Sequence, residues 1–260
     1  MKTLCVLQHV EAEYLGLLED HFEGRNIRFR YCRPFTPGAS IPSRAEDSDG
    51  LILLGAGPKG IVSGDLVPSL GAELRLTRDY LDRGLPVIGV GIGACILSTA
   101  AGGGAEEAPL RFTLDNARRI VPDALKGHLP STFPVAVYMR DRPVLPASAK
   151  ILAVGAQDEP VLFQCRGNCF GFVGHPGIKS AMIEDLIMEF DEVPERTAET
   201  LSLVRAAQPE TSMVVLPPRS DGTSTVRTVQ PERGGLLTKT DCTRAGFPSV
   251  RLEGWFSKRP

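Results

Sequence analysis

An α/β fold is the class this sequence predicts: a mostly parallel central sheet with helices on both faces, followed by a poorly ordered C-terminal tail. Three observations carry that expectation. Short apolar runs over residues 3–7, 49–54 and 87–90 have the length and continuity of buried parallel strands. Stretches with helical spacing of apolar residues alternate with them, and β-α-β-α order makes a parallel sheet covered on both sides. The segment Pro86-Val87-Ile88-Gly89-Val90-Gly91-Ile92-Gly93-Ala94-Cys95-Ile96-Leu97 joins a strand to a helix through a tight glycine turn, the form of a nucleophile elbow.

In chain order, residues 3–7 read as the first strand. Over residues 13–22, Tyr14, Leu15, Leu18 and Phe22 recur near helical spacing, and Gly24 stops that helix. Ile27, Phe29 and Tyr31 alternate with polar residues over 26–31, the period of a second strand. Arg33-Pro34-Phe35 opens a Pro/Gly/Ser loop. The third strand, 49–54, ends in Gly55-Ala56-Gly57-Pro58, and a helix covers 70–83. Gly102-Gly103-Gly104 ends the helix after the elbow. Between 102 and 140 only one helical turn at 122–125 and one strand at 135–139 are legible. Strands at 151–154 and 161–164 follow, then a turn at Arg166-Gly167-Asn168, a strand over 170–173 and a helix over 180–190. Met182, Ile183, Leu186, Ile187 and Phe190 lie on one face of that helix. Residues 1–208 make one domain. From 209 to 260, prolines, glycines, Thr, Ser and Arg interrupt any period, and the tail that results holds the sole tryptophan, Trp255.

A chain of 260 residues can bury a large α/β core. Its net charge of −2 gives no reason to expect nucleic acid. No apolar run approaches the roughly 18 residues that a membrane span needs. Residues 1–8 read as a strand rather than a signal peptide, and six scattered cysteines do not make a secreted disulfide framework, so a reducing cytoplasm is the expected setting. No metal set is visible: Cys165 and Cys169 flank a hairpin turn without companion ligands, and Lys59-Gly60 lacks the spacing of a phosphate loop. No cofactor is expected.

The elbow resembles that of the class I glutamine amidotransferases, P-V-x-G-[IV]-C-x-G-x-Q. Gly89-Val90 and Gly93 match; Gly91 stands at the nucleophile position and Cys95 at that of the glutamine. The likeness runs over about residues 1–190. Leu7-Gln8-His9-Val10-Glu11 and Arg33-Pro34-Phe35 resemble the small free-standing, GMP-synthase-like members. Asp49–Pro58 resembles their oxyanion strand and loop, D-G-x-[IV]-x-[ST]-G-G-P. Residues 141–153 resemble the segment carrying Asp, then Leu-Pro, then Leu-Ala. Phe170-Gly171-Phe172-Val173-Gly174-His175-Pro176-Gly177 resembles the closing Y-G-x-Q-F-H-P-E. The resemblance implies the family's flavodoxin-like fold, a glutamine-like ligand, and a partner that is a synthetase or another enzyme.

It also implies a triad of Cys, His and Glu, and those positions here are Gly91, His175 and Gly177. A thiolate attacks the glutamine amide, a histidine moves the proton, a carboxylate orients the histidine, and backbone N–H groups at Gly55-Ala56-Gly57 and Ile92 hold the oxyanion. Without a side chain, Gly91 cannot attack and Gly177 cannot orient. Two readings follow. In one the protein is impaired as a glutaminase and serves as a binding or regulatory partner. In the other, Cys95 works with His175: it lies one helical turn after Gly91, about 6 Å along the axis, where a helix N-terminus lowers a thiol pKa. Against that, Cys95 also reads as a small buried apolar residue, His175 as a histidine satisfied by a backbone carbonyl, and His9 as a loop histidine.

Overall fold

A computed structural model of the protein describes residues 1–215 apart from 46 and 47. The strands are β1 (Lys2–Leu7), β2 (Ile27–Cys32), β3 (Gly50–Leu53), β4 (Val87–Val90), β5 (Gly104–Glu106), β6 (Arg111–Arg119), β7 (Thr132–Met139), β8 (Arg142–Val144), β9 (Lys150–Val154), β10 (Pro160–Gln164) and β11 (Cys169–Phe172). The helices are α1 (Leu17–Glu23), α2 (Leu70–Asp82), α3 (Ile92–Ala100), α4 (Ser180–Glu189) and α5 (Thr197–Val215). Nine strands form one sheet in the order β2-β1-β3-β4-β11-β10-β9-β6-β7, and β5 pairs with β8 apart from it.

The five strands from β2 to β11 are parallel, and the rest continue antiparallel. Every residue of β3 and β4 is buried, which is why both read as unbroken apolar runs. One core layer joins Leu4, Val6, Ile52, Ile88 and Val90 to Leu15, Leu18 and Phe22 around α1. The opposite layer joins Leu7, Leu51, Leu53 and Val87 to Leu76, Tyr80, Ile96 and Leu97 of α2 and α3. A third cluster seats Ile183 and Leu186 of α4 and Val204 of α5 on Phe112, Ala136 and Tyr138 of β6 and β7. The antiparallel half curls round: after β11 the chain returns to β7, where His175 N–H donates to the Ala136 carbonyl at 3.0 Å.

The central alternation and the fold class agree with the sequence reading of a mostly parallel sheet with helices on both faces, and antiparallel strands extend that sheet beyond β11. The differences have local causes. The first helix begins at Leu17 rather than 13, because Gly16 takes φ 60° and breaks the run. Strand β6, nine residues long, carries Asp115, Asn116 and several arginines, so its β character comes from pairing with β7 rather than from apolar content. The helical turn expected at 122–125 is a 3-10 turn over Ala124–Gly127. Helix α5 runs through Pro209, so the boundary expected at 208 falls inside a helix. The remaining expectation for the tail, Trp255 included, lies outside the described residues. Among the described residues no helix is long and apolar enough to cross a membrane.

Candidate functional site

The segments singled out in the sequence arrive together at the carboxyl ends of the adjacent strands β1, β3, β4 and β11. The order β2-β1-β3 reverses direction at β1, the kind of switch point where open α/β sheets form their crevice. His9 follows β1, Gly55-Ala56-Gly57 follows β3, Gly91 follows β4, and His175 follows β11.

Gly91 has the sharp geometry of an elbow, φ 56° and ψ −124°. Its N–H donates to the Phe172 carbonyl at 2.9 Å and its carbonyl accepts from Ala94 N–H at 2.9 Å, so turn, strand and helix are tied together. A Cβ added at Gly91 would meet only Gly55 Cα, at 3.5 Å, an ordinary contact. The glycines on either side are different. A Cβ at Gly89 would overlap the Gly93 carbonyl, and one at Gly93 would overlap the Leu53 carbonyl. Those two are required by close approach of α3 to β3 and β4; Gly91 is not. Ile92 follows as the first residue of α3, where a helix leaves backbone N–H groups without intrahelical acceptors.

Cys95 is wholly buried in the core layer with Ile92, Val90 and Val137. Burial pushes its thiol well above the ordinary cysteine value, with Asp141 adding to the shift. Desolvation therefore outweighs the helix N-terminus, which the sequence reading expected to lower it.

His175 is 6% exposed and both ring nitrogens are engaged by main chain. Nε2 lies 2.8 Å from the Tyr14 carbonyl and Nδ1 accepts from Gly177 N–H at 3.1 Å. That pattern assigns the neutral tautomer with the proton on Nε2. Burial pulls its pKa down to about 4 against the lesser opposing effect of the Tyr14 carbonyl. Unfolded, this histidine takes a proton near pH 6.5; folded, it does not until about pH 4. The stability gained from keeping it neutral is complete above pH 6.5 and is lost as pH falls to 4, about 3 kcal/mol in all. His175→Gln is expected to flatten that part of the stability curve, as urea melts at stepped pH would read. An unchanged slope would mean the histidine titrates normally.

Gly177 sits hard against the start of α1. Its carbonyl accepts from Leu17 N–H at 2.9 Å. A Cβ there would come within 2.7 Å of the Leu15 carbonyl and 2.9 Å of Leu18 Cγ. The main chain at the start of α1 leaves no room for a side chain at 177.

The sequence reading missed the most polar part of the site. His9, a loop histidine as expected, is buried: Nε2 contacts Glu73 Oε2 at 2.6 Å and Nδ1 lies 3.0 Å from the Gly55 carbonyl. Burial alone would lower its pKa, but Glu73 and the Gly55 carbonyl bring it above the ordinary value. Glu73 is lowered in turn, with His9 and Ser69 overcoming burial. Each partner's shift favours its charged form, and both ring nitrogens of His9 face acceptor oxygens. Beside them Glu13, 4% exposed, accepts a hydrogen bond from Gly57 N–H through Oε2. Burial raises Glu13 to about 7, against the lowering effect of Gly57 N–H and His9. No reading of the sequence brought His9, Glu13 and Glu73 together. Cys165 and Cys169 pair across the turn after β10, both buried and free. Among the described residues no group of His, Cys, Asp and Glu is placed to hold a metal.

No protein-family profile and no curated protein matches the sequence. Solved structures do. A glutamine amidotransferase from Thermotoga maritima superimposes with TM-score 0.67 at 19% identity, covering 81% of this chain and 93% of the other. One from Methylobacillus flagellatus gives 0.68 at 19% identity over 83% and 93%. A candidate GMP synthase component from Thermoplasma acidophilum gives 0.54 at 16% identity over 81% and 98%. The chain shares the fold of these glutamine amidotransferases. Within that fold, the four segments above meet at the carboxyl edge of the parallel strands.

Proposed function

We propose that this amidotransferase-fold protein is impaired as a glutaminase and acts as a binding or regulatory partner of another enzyme. One observation carries the reading: the residue with elbow geometry at the end of β4 is Gly91, which has no nucleophile. The neighbours support it. His175 commits both nitrogens to main chain, Gly177 leaves no space for a carboxylate, and the Gly57 N–H is taken by Glu13. Cys95, the other candidate nucleophile, is a buried thiol with its pKa raised. A synthetase-type partner and a glutamine-like ligand are what the fold resemblance favours, and one similar structure carries the name of a GMP synthase component. The free thiols of Cys5, Cys32, Cys95, Cys165 and Cys169 suit a reducing compartment.

The test is ammonia release from L-glutamine by the purified protein beside Cys95→Ser. Both are expected to stay at background, several orders of magnitude below an intact triad. Release that vanishes in Cys95→Ser would overturn the proposal in favour of an active enzyme using Cys95 with His175.

A further inference from the structure

We infer that Glu13 is a built-in occupant of the Gly55–Gly57 loop: its carboxylate takes the amide donor that an incoming oxygen needs, and the loop binds a small carboxylate once Glu13 gives that donor up. The geometry is direct. Glu13 Oε2 accepts from Gly57 N–H, and a Cβ on Gly55 would overlap the Glu13 carboxyl group, so the carboxylate lies flat on the loop. Gly55 Cα is in turn the atom nearest the Cβ position of Gly91. The loop that carries the occupied donor therefore borders the elbow at Gly55, two residues before Gly57. A backbone N–H beside an elbow suits an anionic or carbonyl oxygen, and the protein supplies one from its own chain.

Glu13 is held loosely for a buried carboxylate. Among the described residues it makes no ion pair, and Gly57 N–H is the hydrogen bond it accepts. The groups facing it come from every side. From α2, Glu73 raises the pKa of His9, and His9 lowers that of Glu13. From α4, Glu189, whose Oε2 accepts from Ala12 N–H at 3.3 Å, repels it. From β7, Tyr138 is 5% exposed with a hydroxyl that has no hydrogen-bond partner, and its phenol is raised to about 12 by burial and by Glu13. With Glu13 raised to about 7, it is mostly ionised at pH 8 and mostly neutral at pH 6. Protonation removes the charge that strengthens its bond to Gly57. His175, neutral down to about pH 4, does not change over that interval.

The experiment follows the Gly57 amide by 15N–1H NMR in the full chain, with sodium acetate as the probe. In the wild type, acetate is expected to shift that amide saturably at pH 6 and to bind about tenfold more weakly at pH 8, as the competent fraction falls. In Glu13→Ala, acetate is expected to bind equally at both pH values. Glu13→Gln, which keeps the side chain's shape, is expected to lose the pH dependence, and it serves if the alanine variant does not fold. A Gly57 amide that ignores acetate in a folded Glu13 variant overturns the inference, as does a pH dependence that persists without Glu13. The inference rests on the reading of Gly55–Gly57 as the oxyanion loop and not on the loss of glutaminase. Ammonia release would sink the proposed function and leave this one standing.

Discussion

Gly93→Ala is expected to lose a large part of the protein's stability, while Gly91→Ala and Gly91→Cys remain folded. At Gly93 the new methyl would meet the Leu53 carbonyl, a strand backbone atom buried between β3 and α3 that cannot turn aside as a side chain can. Overpacking against rigid backbone in a core places the loss on the order of 4 kcal/mol, a large part of the roughly 5–15 kcal/mol that holds a domain folded. At Gly91 there is room, with Gly55 Cα at 3.5 Å, and the cost is backbone strain alone. Holding a side chain at φ 56° costs about 1–3 kcal/mol. Urea melts of the three variants would separate them. Equal midpoints for the alanine variants at 91 and 93 would mean that α3 sits further from β3 than the structure has it. The contrast bears on the proposed function: the turn at 91 has room for a side chain, and Gly91 supplies none.

Gly177→Glu is expected to fail for the opposite reason. The new Cβ would press on the Leu15 carbonyl at 2.7 Å and on Leu18 N at 3.0 Å, and Leu17 N–H is already bonded to the residue 177 carbonyl. Gly16 completes the contact, since a Cβ there would overlap that same carbonyl. The start of α1 and residue 177 are packed backbone to backbone, and a carboxylate forced between them costs on the order of 3–5 kcal/mol. Gly91→Cys is therefore expected to give a folded protein with an alkylatable thiol and no ammonia release, and adding Gly177→Glu is expected to lower the melting midpoint sharply without restoring activity. Thermal melts and a glutaminase assay on the single and double variants check this. A stable, active double variant would mean that the chain can reopen the triad position by moving α1.

How much of the site was legible follows from how far each feature reaches along the chain. The elbow was visible because everything that makes it lies within a dozen residues: an apolar run, glycines at 89, 91 and 93, and a helix. The Gly55–Gly57 loop and His175 were visible through short ordered motifs. The His9–Glu73 pair joins residues 64 apart, and Glu13 reaches Gly57 across 44. No local pattern marks a glutamate for burial. By spacing, Glu13 read as part of the first helix, and Gly16 ended that possibility by turning the chain before Leu17.

By itself, the sequence determined the alternation of β1, α1, β2, β3, α2, β4 and α3, because buried parallel strands and their covering helices need apolar runs and periods that no distant residue can supply. It also determined the absence of a nucleophile at 91 and of a carboxylate at 177. Tertiary structure decided the rest. Pairing with β7 made a strand of the polar residues 111–119. Packing put Cys95 in the core and raised its thiol. The meeting of strand ends placed Glu13 on the Gly55–Gly57 loop and His175 on main-chain partners. Each of these depends on what a group is desolvated against and which donor or acceptor meets it there, and that is set by neighbours distant in the chain.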